Sequence, residues 1–431
     1  MHCGLYIHTP FCETKCGYCD FYSVALKGRN TAPLVDAICR ELEVRLETRA
    51  CPIRTIFVGG GTPTLLPIDD LARLLARVRK LVPLDAIEEF TVEANPATID
   101  DAKAALLADS GVNRVSMGAQ SFFPAELAAL ERLHSPDDIA PSVAVLRRHG
   151  IAQLNLDLIF GIPGQTCDTW SQSIGRAMEL GPDHIACYGL TYEPHTRLTA
   201  QRDAGRVAVC DEDVEADMYL LAVDTLESAG YRQYEISNYA RPGRESRHNL
   251  IYWRNEPYIG IGPSAAGCLP EPRASAGATK QSATPLQATG SLAALSETAL
   301  QSPPPETHMR RYKNVPDISR YARMIGDTGC AEIESEFIEG DTLIHELILM
   351  QLRLNEGLSI AAFRERTGLD PLTTFGDTLD RLVQQELVTV SSTHIALTPT
   401  GRLVANRVMT DLAAAVGRGR PRPSRLAILP G

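Results

Sequence analysis

Short apolar runs alternate with amphipathic stretches over residues 5–190, and this alternation restricts the fold more than any other feature. Several runs are rich in Val, Ile, Phe and Tyr, which fit a pleated surface. The pattern predicts strands at 5–9, 55–58, 90–93, 114–117, 154–160 and 184–190. It predicts helices at 31–49, 69–81, 98–109, 137–149 and 169–180. Strands and helices that alternate at this length form βαβ units with a parallel sheet, so we predict an α/β fold, a partial (β/α)6 barrel of the TIM type.

The chain divides into further segments by composition. Residues 1–267 contain the predicted barrel and its extension, and residues 310–339 are a return segment. Between them, residues 268–309 are rich in Ala, Ser, Thr and Pro, which predicts a disordered insertion. Three helices and a short hairpin over 340–415 predict a winged-helix-like domain, and the Arg- and Pro-rich residues 416–431 predict a disordered tail.

Charge and hydropathy exclude several classes of function. The 431 residues contain 42 Lys and Arg against 53 Asp and Glu, a net charge of −11, so nucleic acid is not an expected partner. The helix at 370–385 that would read DNA carries three aspartates and one arginine. No apolar run approaches the ~20 residues of a membrane span, and the N-terminus lacks the pattern of a secretory signal. We therefore predict a cytoplasmic protein, with peripheral contact to acidic lipid through the Arg-rich tail left open.

Three of the eleven cysteines lie within eight residues, as Cys12-x-x-x-Cys16-x-x-Cys19. A [4Fe–4S] cluster is normally held by four Cys, so three thiolates on one loop would leave one iron open to a further ligand. A structural zinc site with His8 as the fourth ligand is an alternative, although zinc ligand pairs usually come as two separated knuckles. Three unrelated thiols are another.

Notable residues follow the predicted strands at their carboxyl ends, where barrels of this type carry their chemistry. Cys12 follows the first strand, Gly59–Pro63 the second, Glu93–Pro96 the third and Gln120 the fourth, while Asp157 lies inside the fifth. A carboxylate within a buried strand needs a partner or a ligand. These positions predict one functional site at the mouth of the barrel.

Nine short motifs in order make the chain resemble a known family. They are YIHTPFCETKCGYCDF, FVGGGTPTLL, TVEANP, RVSMGAQSF, LNLDLIFGIPGQT, YGLTYEPHT, YEISNYARPG, HNLIYW and YIGIGPSAAG. CxxxCxxC after the first strand is the signature of radical S-adenosylmethionine (SAM) proteins. The closer resemblance is to the oxygen-independent coproporphyrinogen III oxidase-like branch. It implies a barrel of the radical SAM kind, a [4Fe–4S] cluster, and SAM bound at the open iron.

The resemblance also implies roles for single residues. The cluster ligands would be Cys12, Cys16 and Cys19. The SAM contacts would be Tyr6, Tyr18, Gly60, Gly61, Thr62, Glu93, Gln120, Arg132 and Asp157, with Thr191 as a further candidate. These residue types suit SAM, because carboxylates accept from its ammonium and ribose hydroxyls and Arg pairs with its carboxylate. Taken alone, the glycine strip is also typical of a tight turn, and Arg132 of a solvated helix charge.

Two departures favour the haem chaperone (HemW-type) subgroup over the dehydrogenases of haem synthesis. The dehydrogenases carry a fourth Cys at the position of Phe21 and a long N-terminal extension before the cysteines. The resemblance then implies a protein that binds haem, receives electrons from a donor, and passes haem to haem-dependent membrane or respiratory proteins. The alternatives are an oxygen-independent coproporphyrinogen III dehydrogenase and a zinc-stabilised adaptor without radical chemistry.

His248, in the string HNLIYW, is the candidate haem ligand. The string resembles the haem-binding motif of the chaperone subgroup. Imidazole is a natural axial ligand of haem iron, and Tyr252 and Trp253 could pack on a macrocycle. The alternative is a histidine with no ligand role. Cys268 is a second, weaker candidate.

Overall fold

The computed structural model describes residues 2–47, 51–272 and 307–416. Its strands are β1 Cys3–Thr9, β2 Phe11–Cys12, β3 Val24–Ala25, β4 Ile53–Gly60, β5 Glu89–Ala94, β6 Arg114–Gln120, β7 Gln153–Phe160, β8 His184–Gly189, β9 Arg232–Gln233, β10 Asn238–Ala240, β11 Tyr258–Ile261, β12 Ala266–Pro272, β13 Thr307–Asn314, β14 Glu332–Ile338, β15 Leu358–Ser359, β16 Val388–Val390 and β17 His394–Leu397.

Its helices begin with those of the barrel and end with those of the C-terminal unit. They are α1 Ala32–Glu47, α2 Ile68–Leu81, α3 Asp101–Asp109, α4 Pro124–Ala129, α5 Ile139–Arg148, α6 Cys167–Glu179, α7 Arg197–Asp203, α8 Glu212–Ser228, α9 Arg247–Trp253, α10 Ile318–Thr328, α11 Gly340–Gln351, α12 Ile360–Thr367, α13 Pro371–Gln384, α14 Pro399–Leu403 and α15 Ala405–Val416. None of these helices is both long enough and apolar enough to cross a bilayer.

Six parallel neighbours, in the order β1-β4-β5-β6-β7-β8, form the centre of a twelve-stranded sheet. They are the six strands that the sequence predicts. A seventh strand, β11, joins β1 in parallel, and antiparallel strands follow on both sides. Within the described residues the sheet ends at β14 and β9 rather than closing on itself. The predicted α/β fold with a partial (β/α)6 barrel is thus confirmed.

The helices cover the sheet with apolar faces, as α2 illustrates. Leu71, Leu74, Leu75 and Val78 recur at helical spacing and are fully buried, each contributing about 1.5–3 kcal/mol relative to exposure. Acidic residues in its first turn and basic residues in its last complement the helix dipole.

The ends of the predicted insertion are strands, which corrects its boundaries. Residues 268–272 belong to β12 and residues 307–309 to β13, and the two strands pair with each other. The main-chain hydrogen bonds of this pairing order residues that composition alone assigns to disorder. Residues 273–306 and 417–431 lie outside the described part of the chain.

The return segment is fixed to the barrel through one buried carboxylate. Glu41 of α1 is fully buried and accepts hydrogen bonds from Gly262 N at 2.8 Å, Asn314 Nδ2 at 2.8 Å and the Tyr321 hydroxyl at 2.6 Å. Arg45 pairs with the same carboxylate at 2.8 Å. A buried charge requires such partners, so this network holds β13 and α10 against α1.

The C-terminal unit has its own core and a three-stranded sheet in the order β15-β17-β16. Helices α11, α12 and α13 precede the β16–β17 hairpin, which is the predicted winged-helix-like outline. The backbone of α13 breaks at Gly376, where φ is 41°. Gly is the residue that tolerates this conformation.

An ion pair between a buried carboxylate and a half-buried arginine joins this unit to the barrel. Glu235 is fully buried, and its carboxylate lies 3.5 Å from Arg353 Nη2. The Arg353 guanidinium also lies 4.7 Å from the ring centroid of Trp253. Main-chain bonds continue the contact, from Ile236 N to Arg353 O at 3.2 Å and from Asn355 N to the carbonyl of residue 234 at 3.0 Å.

Candidate functional site

The glycine strip, residues 59–61 at the end of β4, is hydrogen-bonded to the chain that enters the cysteine loop. Gly61 N donates to Thr9 O at 2.8 Å, and Thr62 N donates to Phe11 O at 2.7 Å. A Cβ on Gly61 would lie 2.5 Å from Phe11 O, so only glycine allows this approach. The strip therefore fixes the position of Cys12, whatever else it contacts.

The far side of the loop is held by the turn after α4 and by α7. Gly17 N donates to Leu130 O at 3.4 Å, and Leu198 N donates to Gly17 O at 2.8 Å. Glu131 packs against Gly17 and pairs with Arg197. The loop is thus anchored at both ends before any cofactor is bound.

All three predicted cluster ligands are half-buried on this loop. Burial raises the pKa of the Cys12 thiol and raises that of Cys19 to about 12, so bound iron would have to stabilise the thiolates. Cys12 and Cys16 line one small pocket together with Thr62, Asn95 and Arg132. The donor set therefore fits a cube held beside Thr62 and Arg132, two of the predicted SAM contacts.

The zinc alternative fits less well. In the described residues, no three Cys, His, Asp or Glu side chains converge closely enough to hold one metal ion. The thiolates of a cube each bind a different iron and need not converge on one point. His8, the proposed fourth zinc ligand, has both ring nitrogens engaged: Nδ1 lies 2.8 Å from the Tyr6 hydroxyl and Nε2 lies 2.9 Å from Tyr22 O.

Glu93 on β5 faces the glycine strip from inside the barrel. Its Oε2 accepts from Gly60 N at 2.9 Å, and a Cβ on Gly59 would lie 2.6 Å from the same oxygen. Burial, and secondarily the charge of Asp157, raises the pKa of Glu93 to about 7. An ammonium group placed here would stabilise the carboxylate, which suits the predicted contact with the SAM amino group.

Asp157, half-buried on β7, has protein partners of its own. Asn155 Nδ2 donates to Oδ1 at 2.7 Å, and Ser116 Oγ lies 3.5 Å from Oδ2. Burial nevertheless raises the pKa of Asp157. The carboxylate is positioned by its neighbours and is level with Gly118 in the pairing of β6 and β7.

Gln120 and Arg132 meet at Gly118. A Cβ on Gly118 would lie 2.8 Å from Gln120 Nε2 and 3.2 Å from Arg132 Nη2. Arg132 lies beyond the end of α4 and turns inward, where Nη2 donates to Gly118 O at 2.9 Å and Nη1 lies 3.6 Å from Cys16 Sγ. It is therefore not the solvated helix charge that its local sequence suggests.

The predicted aromatic contacts lie on two sides of the loop. Tyr6 on β1 faces into the barrel beside Phe57, at 6.2 Å between ring centroids. Tyr18 packs on a small apolar cluster that includes Leu130 and Ile159. Thr191 is exposed, and its hydroxyl lies 3.4 Å from Gly189 O, which places it at the rim rather than in the pocket.

His248, the candidate haem ligand, occupies a core position. Its side chain is fully buried and stacks on Phe57 at 5.2 Å. Nδ1 lies 2.8 Å from the Thr55 hydroxyl and Nε2 lies 2.9 Å from the Tyr252 hydroxyl. Burial lowers the pKa of His248 to about 3. In this arrangement neither ring nitrogen is free to coordinate iron.

Cys268 on β12 is half-buried beside Tyr258 and Arg311. Burial raises the pKa of its thiol to about 12. Bound iron would have to stabilise this thiolate, as it would at Cys19.

Sequence reasoning missed two residues that shape the site. Asn155 lies two residues before Asp157 on the same face of β7, a spacing that could have indicated it. His134 is buried in the turn after α4, and its Nε2 donates to Ala119 O at 3.1 Å. No periodic signal points to His134, since it lies in irregular structure.

Two family descriptions match the chain. "Radical SAM superfamily" matches residues 6–176, and "HemN C-terminal domain" matches residues 338–404. Among solved structures, coproporphyrinogen III oxidase (HemN) from Escherichia coli covers 96% of this chain and 90% of its own, with a TM-score of 0.74 and 21% identity. At this identity the likeness establishes the fold. Fold and site together define a radical SAM protein.

Curated relatives narrow the class. The "Heme chaperone HemW" of Lactococcus lactis subsp. lactis is 32% identical over 404 residues, which are 94% of this chain and 95% of the relative. The heme chaperone HemW of Bacillus subtilis is 32% identical over 405 residues, which are 94% of this chain and 97% of the relative. That of Escherichia coli is 39% identical over 61% of this chain and 69% of the relative. The chain belongs to the HemW family of radical SAM proteins.

Proposed function

We propose that the chain is a radical SAM haem chaperone that holds a [4Fe–4S] cluster and SAM and delivers haem to haem-dependent proteins. The observation that carries the proposal is similarity to haem chaperones along 94% of the chain. The residue at the position of the dehydrogenases' fourth Cys, Phe21, is 53% exposed and offers no metal ligand. Membrane or respiratory acceptors, an electron donor and a cytoplasmic location remain predictions.

The residues of the pocket divide the work. Cys12, Cys16 and Cys19 would hold the cluster, whose reduced form supplies the electron that cleaves SAM. The Glu93 carboxylate would accept a hydrogen bond from the SAM ammonium, while it also accepts one from Gly60 N. Arg132 would pair with the SAM carboxylate, and Asp157 would accept from ribose hydroxyls. Support comes from three placements: Arg132 lines the pocket that Cys12 and Cys16 also line, Glu93 accepts from Gly60 N, and Asp157 is level with Gly118, where Arg132 donates.

Haem binding is proposed without His248 as its ligand. Coordination by this ring would require the loss of a hydrogen bond to Thr55 or Tyr252 inside the core. We therefore expect His248→Phe to lower the free energy of unfolding by about 2–4 kcal/mol while the folded fraction keeps its haem absorbance band. Loss of the band at unchanged stability would restore His248 as the ligand.

The central test is anaerobic reconstitution of the full chain. We expect about four irons per chain, binding of SAM and of haemin, and transfer of haem to an apo-acceptor protein. Cys16→Ser should lose most of the iron, whereas Cys330→Ser, an exposed cysteine far along the chain, should keep it. Absence of iron would refute the cluster, and conversion of coproporphyrinogen to protoporphyrinogen would favour the dehydrogenase instead.

A further inference from the structure

The turn formed by residues 131–134 donates hydrogen bonds to two consecutive carbonyl groups at the end of β6. Arg132 Nη2 donates to Gly118 O at 2.9 Å, and His134 Nε2 donates to Ala119 O at 3.1 Å. The pairing of β6 with β7 shifts register between Gly118 and Gln120. The turn therefore fixes the place where β6 leaves its regular pairing.

Gln120 adopts an uncommon backbone conformation at this place. Its φ is +61°, in the left-handed region that is unfavourable for a non-glycine residue. Such a conformation persists only where the surroundings determine it. The side chain that results lies buried over Gly118, beside the Arg132 guanidinium.

The turn and the residue before it, Leu130, contact the cysteine loop. Leu130 O accepts from Gly17 N, and Arg132 Nη1 lies 3.6 Å from Cys16 Sγ. A displacement of the turn would thus move the proposed SAM residues relative to the proposed cluster ligands. Distances of this kind matter, because a misplacement of about 1 Å can cost a hundredfold in activity.

His134 is the buried support of this arrangement. Its side chain is 4% exposed, and a carbonyl acceptor requires the Nε2–H tautomer. Within the described residues, Nδ1 has no hydrogen-bond partner, so the ring is held through Ala119 O.

We propose that His134 is a positioning residue for SAM: by donating to Ala119 O it holds Gln120 in its left-handed conformation and aligns it with Arg132. This inference rests on the proposed SAM site. It assigns His134 no contact with SAM and no role in iron binding.

The test compares three variants of the full, cluster-loaded chain. His134→Leu removes the donor and should weaken SAM binding at least tenfold, with iron content unchanged. His134→Gln keeps an amide donor at the place of Nε2 and should restore affinity to within about threefold of the original chain. His345→Leu is the matched control, since its Nε2 also donates to a carbonyl, Ala413 O at 3.2 Å, in the C-terminal unit. It should leave SAM affinity unchanged.

Hydrogen exchange supplies a readout that needs no cofactor. In His134→Leu, amides of residues 118–123 should exchange faster, and His134→Gln should reverse this effect. If the leucine variant does not fold, His134→Asn takes its place and is compared with His134→Gln. The asparagine amide is too short to reach Ala119 O. Unchanged SAM affinity in the variants without the donor, or loss of iron together with SAM, would overturn the inference. Failure of the original chain to bind SAM would instead refute the proposed function on which it rests.

Discussion

At the scale of single residues, environment rather than residue type sets the chemistry of the pocket. Glu93 and Asp157 face the same interior, and burial raises the pKa of both carboxyls. Glu93 accepts from a backbone amide, whereas Asp157 is held by two side chains. Two carboxylates with different partners can recognise different parts of one ligand.

Replacing Glu93 by Gln should change how stability depends on pH. The folded chain keeps the Glu93 proton up to about pH 7, whereas the unfolded chain loses it at the usual pKa, 4.5. Between these values the folded state binds more protons, so this group lowers stability as pH rises. From pH 5 to pH 8, Glu93→Gln should gain about 2–3 kcal/mol relative to the original chain, measured by denaturant unfolding. A constant difference across this range would contradict the raised pKa.

At the scale of elements, the glycine strip allows the backbone at the end of β4 to pack directly against the backbone that follows β1. The end of β4, the end of β1 and the short strand β2 are joined by hydrogen bonds at Gly61 and Thr62. Gly61 is a predicted SAM contact. The backbone of Phe11, however, occupies the space where a Gly61 side chain would lie. The strip thus builds the cysteine loop as well as lining the pocket.

Gly61→Ala should therefore damage both the fold and the cluster. Its Cβ would lie 2.5 Å from Phe11 O and 2.8 Å from Phe11 N, so the backbone must shift. We expect the free energy of unfolding to fall by about 1–3 kcal/mol and iron retention to decrease, as measured by thermal unfolding and iron analysis. Gly175→Ala in α6 is the control, because no described atom beyond the local helix lies within 4 Å of its Cβ. This control should raise the free energy of unfolding by about 0.5–1 kcal/mol. An equal response of the two variants would disprove the argument.

At the scale of the whole molecule, two buried carboxylates hold distant parts of the chain together. Glu41 fixes the return segment to α1, and Glu235 fixes the C-terminal unit to the barrel. A buried carboxylate without partners is costly, so each of them makes the docking of its segment specific.

Arg353→Leu should loosen the junction between the barrel and the C-terminal unit. It leaves Glu235 buried without its cation, and we expect a loss of about 2–4 kcal/mol in the free energy of unfolding. Combining it with Glu235→Gln should recover part of that loss, as a double-mutant cycle would measure. Arg381→Leu, which breaks an exposed pair with Asp411, should cost less than about 1 kcal/mol. Strict additivity of the first two changes would contradict the coupling.

Local periodicity and spacing were enough to predict the six parallel strands, the helices between them and the cysteine loop. The sequence also indicated that Asp157 needs a partner, since a charge within an apolar strand is conspicuous. Which side chains meet in the pocket follows from the folded arrangement of the chain and not from its local patterns. Arg132 turns inward to Gly118, His248 enters the core and His134 supports Gln120, because hydrogen-bond partners far apart in the chain determine those positions. Long-range contacts of this kind leave no periodic trace in the residues that make them.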